Sequence, residues 1–277
     1  MSRFVTSDGL SLDWDDSGTG VPVLCLAGLT RDKSDFDDFA AAIGGAARLI
    51  RLTSRGRKGS DFDPDPMHYT IPVEARDAIE LLDHVGLRKA VIVGTSRGGL
   101  IAMLIAATAP QRLAGVLLND IGPEIAPEGV ERIRDFLGRN PVFRDYEQAA
   151  DGLAELNAQT FPGVSRERWL ACARRWWKST PGGLRITYDP KLRDTFEAAG
   201  AQPAPDLWPM FDAMRGIPLA LVRGANSDIL SAETAAAMRA RRPDMIFAEL
   251  PDRGHVPFLD EPECVSAFRQ LLEKVKP

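Results

Sequence analysis

The sequence predicts an α/β protein with a mostly parallel, doubly wound sheet and an inserted helical cap. Short apolar runs alternate with stretches of helical length, which is the pattern of parallel strands joined by helices. The runs "AVIVG", "GVLLN" and "PLALV" are almost continuously apolar, which indicates strands buried on both faces. Between residues 121 and 208 the alternation stops, and helical periodicity with proline breaks takes its place.

The first 120 residues contain predicted strands and helices in regular order. They begin with a hairpin, in which "RFVTS" and "LSLDW" flank the turn pair Asp8-Gly9. Glycine is a common residue just after the end of a helix, and it follows two of the predicted helices. The predicted elements after the hairpin are the strand "VPVLCLAG", the helix "DFDDFAAAIGG", the strand "ARLIRLTS", the helix "IPVEARDAIELLDHVG", the strand "KAVIVGTS", the helix "RGGLIAMLIAATAP" and the strand "LAGVLLND".

The alternation resumes near the end of the chain. The predicted elements there are the strand "IPLALVRG", the helix "SAETAAAMRARRP", the strand "DMIFAEL" and the helix "EPECVSAFRQLLEKVK". We therefore predict a core formed by residues 1–120 and 209–277, and a helical cap formed by residues 121–208. We expect the cap to lie over the carboxyl edge of the sheet, where open α/β sheets bind ligands.

Composition and charge exclude several classes of function. Of the 277 residues, 44% are hydrophobic and 26% are charged, and the net charge of −5 with scattered arginines argues against a nucleic-acid partner. No apolar run reaches the roughly 18 residues of a membrane span, and the first residues do not resemble a secretion signal, so we expect a cytoplasmic protein. Cys25, Cys172 and Cys264 are far apart and form no CxxC pair, which argues against a zinc site and a disulfide framework. We expect a small-molecule substrate, no cofactor and no metal, and leave a homo-oligomer open.

The segment Gly94-Thr95-Ser96-Arg97-Gly98 matches the pattern G-x-S-x-G between a predicted strand and a predicted helix. In this context the pattern indicates a nucleophile elbow, a sharp turn that presents the serine hydroxyl to the cleft. Glycine is needed on both sides because the turn crowds the neighbouring backbone. The alternative is a tight turn that carries a serine without a catalytic role. We favour Ser96 as a nucleophile.

A serine hydroxyl needs a base to accept its proton, and the chain has three histidines. His255 lies in "LPDRGHVPFLDEP", just after the last predicted strand, and therefore at the same edge of the sheet as Ser96. His84 lies within a predicted helix, and His68 lies in a proline-rich loop. We predict His255 as the base, His84 as a histidine of a helix surface, and His68 as either a bystander or a residue at the rim of the pocket.

The histidine in turn needs a carboxylate to orient it, and two aspartates follow predicted strands at this edge. We favour Asp228, in "LVRGANSDIL", because Ser96, Asp228 and His255 then occur in the chain order expected of this fold. Asp120, at the end of "GVLLND", is the alternative, and it would otherwise anchor the start of the cap. For the oxyanion hole we predict the backbone N–H groups of Leu29 and Arg97.

Taken together, these segments resemble the α/β-hydrolase superfamily over nearly the whole chain. The resemblance is carried by "LCLAGLT", "TSRGRKGSDFDPDP", "VIVGTSRGG", "LLNDIGPEI", "LVRGANSDIL" and "LPDRGHVPFLDEP". It is closest to the bacterial capped serine hydrolases, which include enol-lactonases, carboxylesterases and carbon–carbon bond hydrolases. The resemblance implies Ser96 as nucleophile, Asp228 as acid, His255 as base, and Leu29 with Arg97 as oxyanion donors.

The chain departs from the family pattern at three places. Ala27-Gly28 stands where the family usually has His-Gly, a histidine that supports the oxyanion loop. The family segment D-x-R-G-x-G-x-S reads here as Thr53 to Ser60, without the aspartate and without the second glycine. Arg97 places a cation at a helix start, so we expect it to pair with Asp120 or Glu124. A sharper alternative is that Arg97 binds a carboxylate of the substrate.

The predicted function is a cofactor-independent serine hydrolase that acts on a small or medium carboxylic ester or lactone. Two alternatives remain: a carbon–carbon bond hydrolase with the same triad, and a ligand-binding receptor on a hydrolase fold. We expect aromatic and apolar side chains of the cap to form the roof of a partly apolar pocket. The candidates for this roof are Phe136, Leu137, Phe143, Trp169, Trp176, Trp177 and Tyr188.

Overall fold

The computed structural model describes residues 2–275. Its central sheet has eight strands: β1 (Ser2–Val5), β2 (Ser11–Ser17), β3 (Pro22–Leu26), β4 (Arg48–Leu52), β5 (Ala90–Thr95), β6 (Leu113–Asn119), β9 (Leu219–Gly224) and β10 (Ile246–Leu250). Their order is β1-β2-β4-β3-β5-β6-β9-β10. β2 pairs antiparallel with β1 and β4, whereas all strands from β4 to β10 along this order pair in parallel. The predicted fold class is therefore confirmed.

Helices cover both faces of the sheet. They are α1 (Asp37–Ile43), α2 (Ile71–His84), α3 (Arg97–Thr108), α4 (Pro127–Phe136), α5 (Tyr146–Leu156), α6 (Arg166–Trp176), α7 (Leu192–Gly200), α8 (Trp208–Asp212), α9 (Ala232–Arg241) and α10 (Pro262–Val275). Residues of α2, α3, α8 and α9 share one buried apolar cluster, and those of α1 and α10 share another. Strand β3 contributes Leu24 and Leu26 to the first cluster and Val23 and Cys25 to the second, as the period of two in a strand requires.

Residues 121–208 contain four helices, α4 to α7, and a short antiparallel hairpin of β7 (Trp177–Thr180) and β8 (Gly183–Ile186). The sequence indicated only helices here, because two strands of four residues each are too short to show an alternating pattern. This segment has an apolar cluster of its own, which includes Leu153, Phe161 and Trp169. The division of the chain into core and cap at these bounds stays a prediction.

The topology brings the ends of four strands to one place. β5, β6, β9 and β10 are neighbours and run in parallel, so the loops that follow them leave the sheet at the same edge. These loops carry Ser96, Asp120, Asp228 and His255. Within residues 2–275, no helix combines the length and the apolar character that crossing a bilayer requires.

Candidate active site

Ser96 lies on the sharp turn between β5 and α3, in the left-handed region with φ 51°. A Cβ on Gly98 would lie 2.0 Å from the carbonyl oxygen of Leu26, and a Cβ on Gly94 would lie 2.5 Å from that of Gly98. Because both contacts are with backbone atoms, neither position can hold a larger residue without a shift of the chain. The two glycines therefore allow the strained turn that exposes the serine hydroxyl.

His255 lies in the loop between β10 and α10, and its imidazole joins two side chains. Its Nε2 lies 2.9 Å from Ser96 Oγ, and its Nδ1 lies 2.8 Å from Asp120 Oδ2. Since an ionised carboxylate only accepts hydrogen bonds, we assign the proton to Nδ1, which leaves Nε2 free to accept from the serine. The arrangement has the order of contacts that activates a serine hydroxyl.

The carboxylate beside His255 belongs to Asp120, and this corrects the expectation that it would be Asp228. Asp120 is fully buried with φ 56°, and it also accepts hydrogen bonds from Gly224 N at 2.8 Å and Ser227 Oγ at 2.5 Å. Asp228 pairs instead with Arg132 of α4, at 3.0 Å. The loop after β9 thus directs the Ser227 hydroxyl, and not the side chain of Asp228, toward the carboxylate of Asp120. Chain order could not reveal this, because both aspartates follow strands that end at the same edge.

The loop after β3 carries the first predicted oxyanion donor, Leu29. The loop passes close to Ser96, since a Cβ on Gly28 would lie 3.9 Å from Ser96 Cβ. The carbonyl oxygen of Leu29 accepts a hydrogen bond from Arg57 Nε at 2.8 Å. The second predicted donor, the N–H of Arg97, is the first of α3, and the first N–H groups of a helix have no partner within the helix.

The side chain of Arg97 pairs with Glu74, which corrects the expected pairing with Asp120 or Glu124. Its Nε and Nη2 donate to Glu74 Oε2 and Oε1, each at 2.9 Å, and Nη2 also donates to the carbonyl of Tyr69 at 2.8 Å. Glu124 accepts instead from Trp208 Nε1 at 2.6 Å. With its guanidinium occupied in this way, Arg97 is no longer a suitable group to bind a substrate carboxylate.

Glu74 is a residue of this region that the sequence analysis missed. Its side chain is 1% exposed, and it contacts the guanidinium of both Arg57 and Arg97. Burial alone would raise the pKa of Glu74, but the attraction of the two arginines outweighs it and lowers the pKa to about 2. The sequence did offer one indication of its role: Glu74 lies in the first turn of α2, next to residues whose spacing predicts a buried face of that helix.

The other two histidines lie away from this group. His68 has Nδ1 3.2 Å from Asp63, and the ring of His84 lies 5.7 Å from those of Phe4 and Trp14. Among the described residues, no group of three or more His, Cys, Asp or Glu side chains is arranged to hold a metal ion.

The aromatic side chains predicted to form a roof are divided among several places. Phe143 packs against Trp177, Trp169 packs against Phe258 of the loop after β10 with ring centroids 6.0 Å apart, and Phe136 is 46% exposed. Leu137 and Tyr188 share an apolar cluster with Leu29. Trp176 reaches the chain segment after the Leu29 loop, where its Nε1 donates to Asp35 at 3.2 Å, whereas Trp177 begins β7.

Comparison with known proteins identifies the family. The sequence model of the alpha/beta hydrolase family matches residues 23–267. The chain is 36% identical, over 94% of its own length and 90% of the relative's, to a 3-hydroxybutyrate-oligomer hydrolase of Cupriavidus necator. An alpha/beta hydrolase from Novosphingobium aromaticivorans shares 42% identity at a TM-score of 0.92, with 99% of this chain and 97% of that chain covered.

A thermophilic esterase from Thermogutta terrifontis, solved with malate bound, shares 26% identity at a TM-score of 0.73 over the full length of both chains. The matched family and the hydrolase relatives agree with the eight-stranded sheet described above. The chain is thus a hydrolase and belongs to the alpha/beta hydrolase family.

Proposed function

We propose that this hydrolase cleaves a small or medium carboxylic ester or lactone through a serine acyl-enzyme. The observation that carries the proposal is the hydrogen-bonded series from Ser96 Oγ to His255 Nε2, 2.9 Å, and from His255 Nδ1 to Asp120, 2.8 Å. A serine hydroxyl is a weak nucleophile unless a base accepts its proton, and this series supplies the base and the group that orients it.

The reaction follows from these contacts. Ser96 Oγ attacks the ester carbonyl while His255 Nε2 takes the hydroxyl proton, and Asp120 stabilises the resulting imidazolium. The carbonyl oxygen becomes an oxyanion that accepts hydrogen bonds from the N–H groups of Leu29 and Arg97. The C–O bond to the alcohol then breaks, and the alcohol leaves with the proton from His255. Water, deprotonated by the same histidine, attacks the acyl-enzyme and releases the acid and Ser96.

The apolar side chains beside Leu29 and the names of the relatives support the proposed class of substrate. Leu137 and Tyr188 pack beside Leu29, so apolar side chains from residues 121–208 adjoin the oxyanion loop. We propose that this segment acts as a cap over the site. One relative hydrolyses 3-hydroxybutyrate oligomers and a structural neighbour is an esterase, which makes short esters of hydroxy acids the first substrates to test.

A fluorophosphonate probe tests the proposal, because it labels only an activated serine. We expect the native protein to be labelled rapidly, Ser96→Ala not at all, and His255→Ala slowly. A panel of esters, lactones and vinylogous diketones should then show turnover of esters or lactones. Preferred cleavage of the diketones would identify a carbon–carbon bond hydrolase, and absence of labelling in the native protein would favour a ligand-binding receptor; either result contradicts the proposal.

A further inference from the structure

The carboxylate of Glu74 links two arginines, one of which contacts the loop of Leu29 while the other directly follows Ser96. Its Oε1 accepts from Arg57 Nη1 at 2.8 Å and from Arg97 Nη2 at 2.9 Å, and its Oε2 accepts from Arg97 Nε at 2.9 Å. The side chains of Glu74 and Arg57 are each 1% exposed, so water does not screen these charges. Both carboxylate oxygens are used, which fixes the two guanidinium groups relative to one another.

Each arginine of this pair leads to one predicted oxyanion donor. Arg57 Nε donates to the carbonyl oxygen of Leu29 at 2.8 Å and so holds the loop whose N–H is the first donor. Arg97 supplies the second donor from its own backbone, and its side chain is fastened to Glu74 and to the carbonyl of Tyr69. One carboxylate therefore connects the two halves of the oxyanion hole.

Two features of this cluster favour a role in activity over a role in stability alone. Buried Arg57 Nη2 has no hydrogen-bond partner among the described residues, and leaving such a group unsatisfied lowers the stability of the fold. The cluster of two arginines and one glutamate also has a net charge of +1, the sign that favours an oxyanion. In addition, the chain has Ala27 where the family resemblance leads one to expect a histidine that supports this loop.

We propose that Glu74 is a positioning residue, which fixes both N–H donors of the oxyanion hole through Arg57 and Arg97. The proposal rests on the serine mechanism proposed above. In place of the family's usual histidine, Arg57 holds the loop of Leu29 through its hydrogen bond to the Leu29 carbonyl. The carboxylate of Glu74, which contacts both Arg57 and Arg97, sets the spacing between this loop and the start of α3.

Glu74→Gln tests this role, because it keeps the shape of the side chain and removes its charge. The amide has a single oxygen, and its NH₂ group must face one of the guanidinium groups. Since loss of one oxyanion donor costs about 10²- to 10³-fold in kcat, we expect partial misplacement of both to lower kcat by about 10- to 100-fold. KM should change by less than about threefold, and the affinity for a boronic acid that forms a tetrahedral adduct with Ser96 should fall with kcat.

Asp77→Asn is the matched control. Asp77 lies on the same helix, is 1% exposed, and pairs with buried Arg55 at 2.7 Å, but it contacts neither Leu29 nor Arg97. We expect it to lower the melting temperature while kcat and boronate affinity stay within about threefold of the native values. If Glu74→Gln behaves like this control, the positioning role is refuted.

A second variant covers the case in which Glu74→Gln does not fold. Arg57→Lys keeps the positive charge and removes the Nε donor to Leu29, and it should lower kcat at least about tenfold. A native protein that is not labelled by a fluorophosphonate would contradict the serine mechanism itself. Rapid labelling of the native protein together with an unchanged kcat in both variants would contradict only the role of Glu74.

A different observation concerns Arg31, which extends from the oxyanion loop toward the cap segment. Its backbone N–H donates to the carbonyl of Gly28 at 3.1 Å, and a Cβ on Gly28 would lie 3.7 Å from Arg31 Cγ and 3.9 Å from Ser96 Cβ. The stem of Arg31 and the side chain of Ser96 therefore both lie next to Gly28. Its guanidinium carbon is 3.7 Å from the ring centroid of Trp176.

The guanidinium of Arg31 has no hydrogen bond to another group of residues 2–275. Its nearest carboxylate oxygen, on Asp35, is 3.7 Å from Nε, which is too far for a hydrogen bond. Burial raises the pKa of Asp35 to about 6, although Arg31 opposes the shift, so its negative charge weakens in mildly acidic solution. By contrast, Arg175 on α6 is held by Asp38 through two hydrogen bonds. A cation with unused donors, 28% exposed and on the loop whose Gly28 lies close to Ser96, is suited to bind an anion.

We infer that Arg31 binds a carboxylate of the substrate, so that the preferred substrates are esters with a free acid group. This inference also rests on the proposed serine mechanism. Arg31 is better suited to this contact than Arg97, whose Nε and Nη2 donate to Glu74 and to the carbonyl of Tyr69.

The test compares hydrolysis of a half-ester of glutaric acid with that of a neutral butyrate ester bearing the same leaving group. A hydrogen bond to a charged group contributes enough to favour the half-ester about 10- to 100-fold in kcat/KM, and Arg31→Gln should abolish this preference. Arg174→Gln, an exposed arginine of α6 with side chain 59% exposed, is the control and should leave the preference unchanged. Glutarate should also slow fluorophosphonate labelling of the native protein but not of Arg31→Gln. An unchanged preference in Arg31→Gln refutes the inference, whereas absence of labelling in the native protein refutes the serine mechanism.

Discussion

The choice of Asp120 as the partner of His255 leads to a sharp prediction about Asp120→Asn. In the native protein Asp120 Oδ1 accepts from Gly224 N, and Oδ2 accepts from Ser227 Oγ and His255 Nδ1. Asparagine has one oxygen and one NH₂ group, so in either orientation its NH₂ must face a group that now donates. Asparagine tolerates the left-handed conformation with φ 56° as aspartate does, so the backbone need not change.

The effect on activity follows from the proton on the imidazole. If the asparagine NH₂ donates to His255 Nδ1, the ring must carry its proton on Nε2, where it points at Ser96 and cannot accept the hydroxyl proton. The charge that stabilises the imidazolium is lost as well, and position 120 is fully buried, so water cannot replace it. We expect kcat to fall by about 10⁴-fold, the size of this effect in a serine triad, which corresponds to about 5.4 kcal/mol in the barrier.

Asp228→Asn is the matched control, since it removes the carboxylate that the sequence favoured. Asp228 pairs with Arg132, whose side chain is 58% exposed, and pairs at such places contribute little. We expect kcat within about threefold of the native value. The assay is ester hydrolysis with protein shown to be folded by its melting temperature. Activity of Asp120→Asn within tenfold of native, or a loss of about 10³-fold in Asp228→Asn, would refute the assignment.

Three further predictions concern stability and reactivity. Gly98→Ala places a Cβ 2.0 Å from the carbonyl oxygen of Leu26 in the central strand β3, so it should lower the free energy of unfolding by at least about 2 kcal/mol, as measured by thermal unfolding. The control is Gly182→Ala, whose Cβ would have its nearest contact at 3.5 Å and which should have almost no effect. The pKa of Glu74 is lowered from 4.5 to about 2 in the folded protein, so the ionised carboxylate contributes to stability fully above pH 4.5, and this contribution is lost as the pH falls toward 2. Glu74→Gln should therefore lose less stability than the native protein over this pH range in acid denaturation. Stability that falls with pH at the same slope in both proteins would contradict the prediction. The three cysteines are buried and burial raises their pKa, to about 11 for Cys172, so a thiol reagent should react only after unfolding, and fast reaction of the native protein would show that one of them is accessible.

The sequence was sufficient where the chemistry is local. Gly94, Ser96 and Gly98 mark the turn in the sequence, and the space at Gly94 is limited by the backbone of the turn itself, whereas the space at Gly98 is limited by strand β3. The parallel direction of the buried strands was indicated by their almost continuous apolar composition. The resemblance to the alpha/beta hydrolases was indicated by several motifs in one chain, and the family model confirms it. The position of His255 after the last strand was also sufficient to place it at the edge of the sheet beside Ser96.

The tertiary structure decided which charged groups meet, because their partners are distant in the chain. Asp120 and His255 are 135 residues apart, and only the path of the loop after β9 determines that Ser227, and not Asp228, contacts Asp120. In the same way, Glu74 and Arg97 are 23 residues apart on two different helices, and nothing in either segment indicates that they pair. A short motif constrains the backbone around itself, whereas the contact between two loops depends on the packing of every element that supports them.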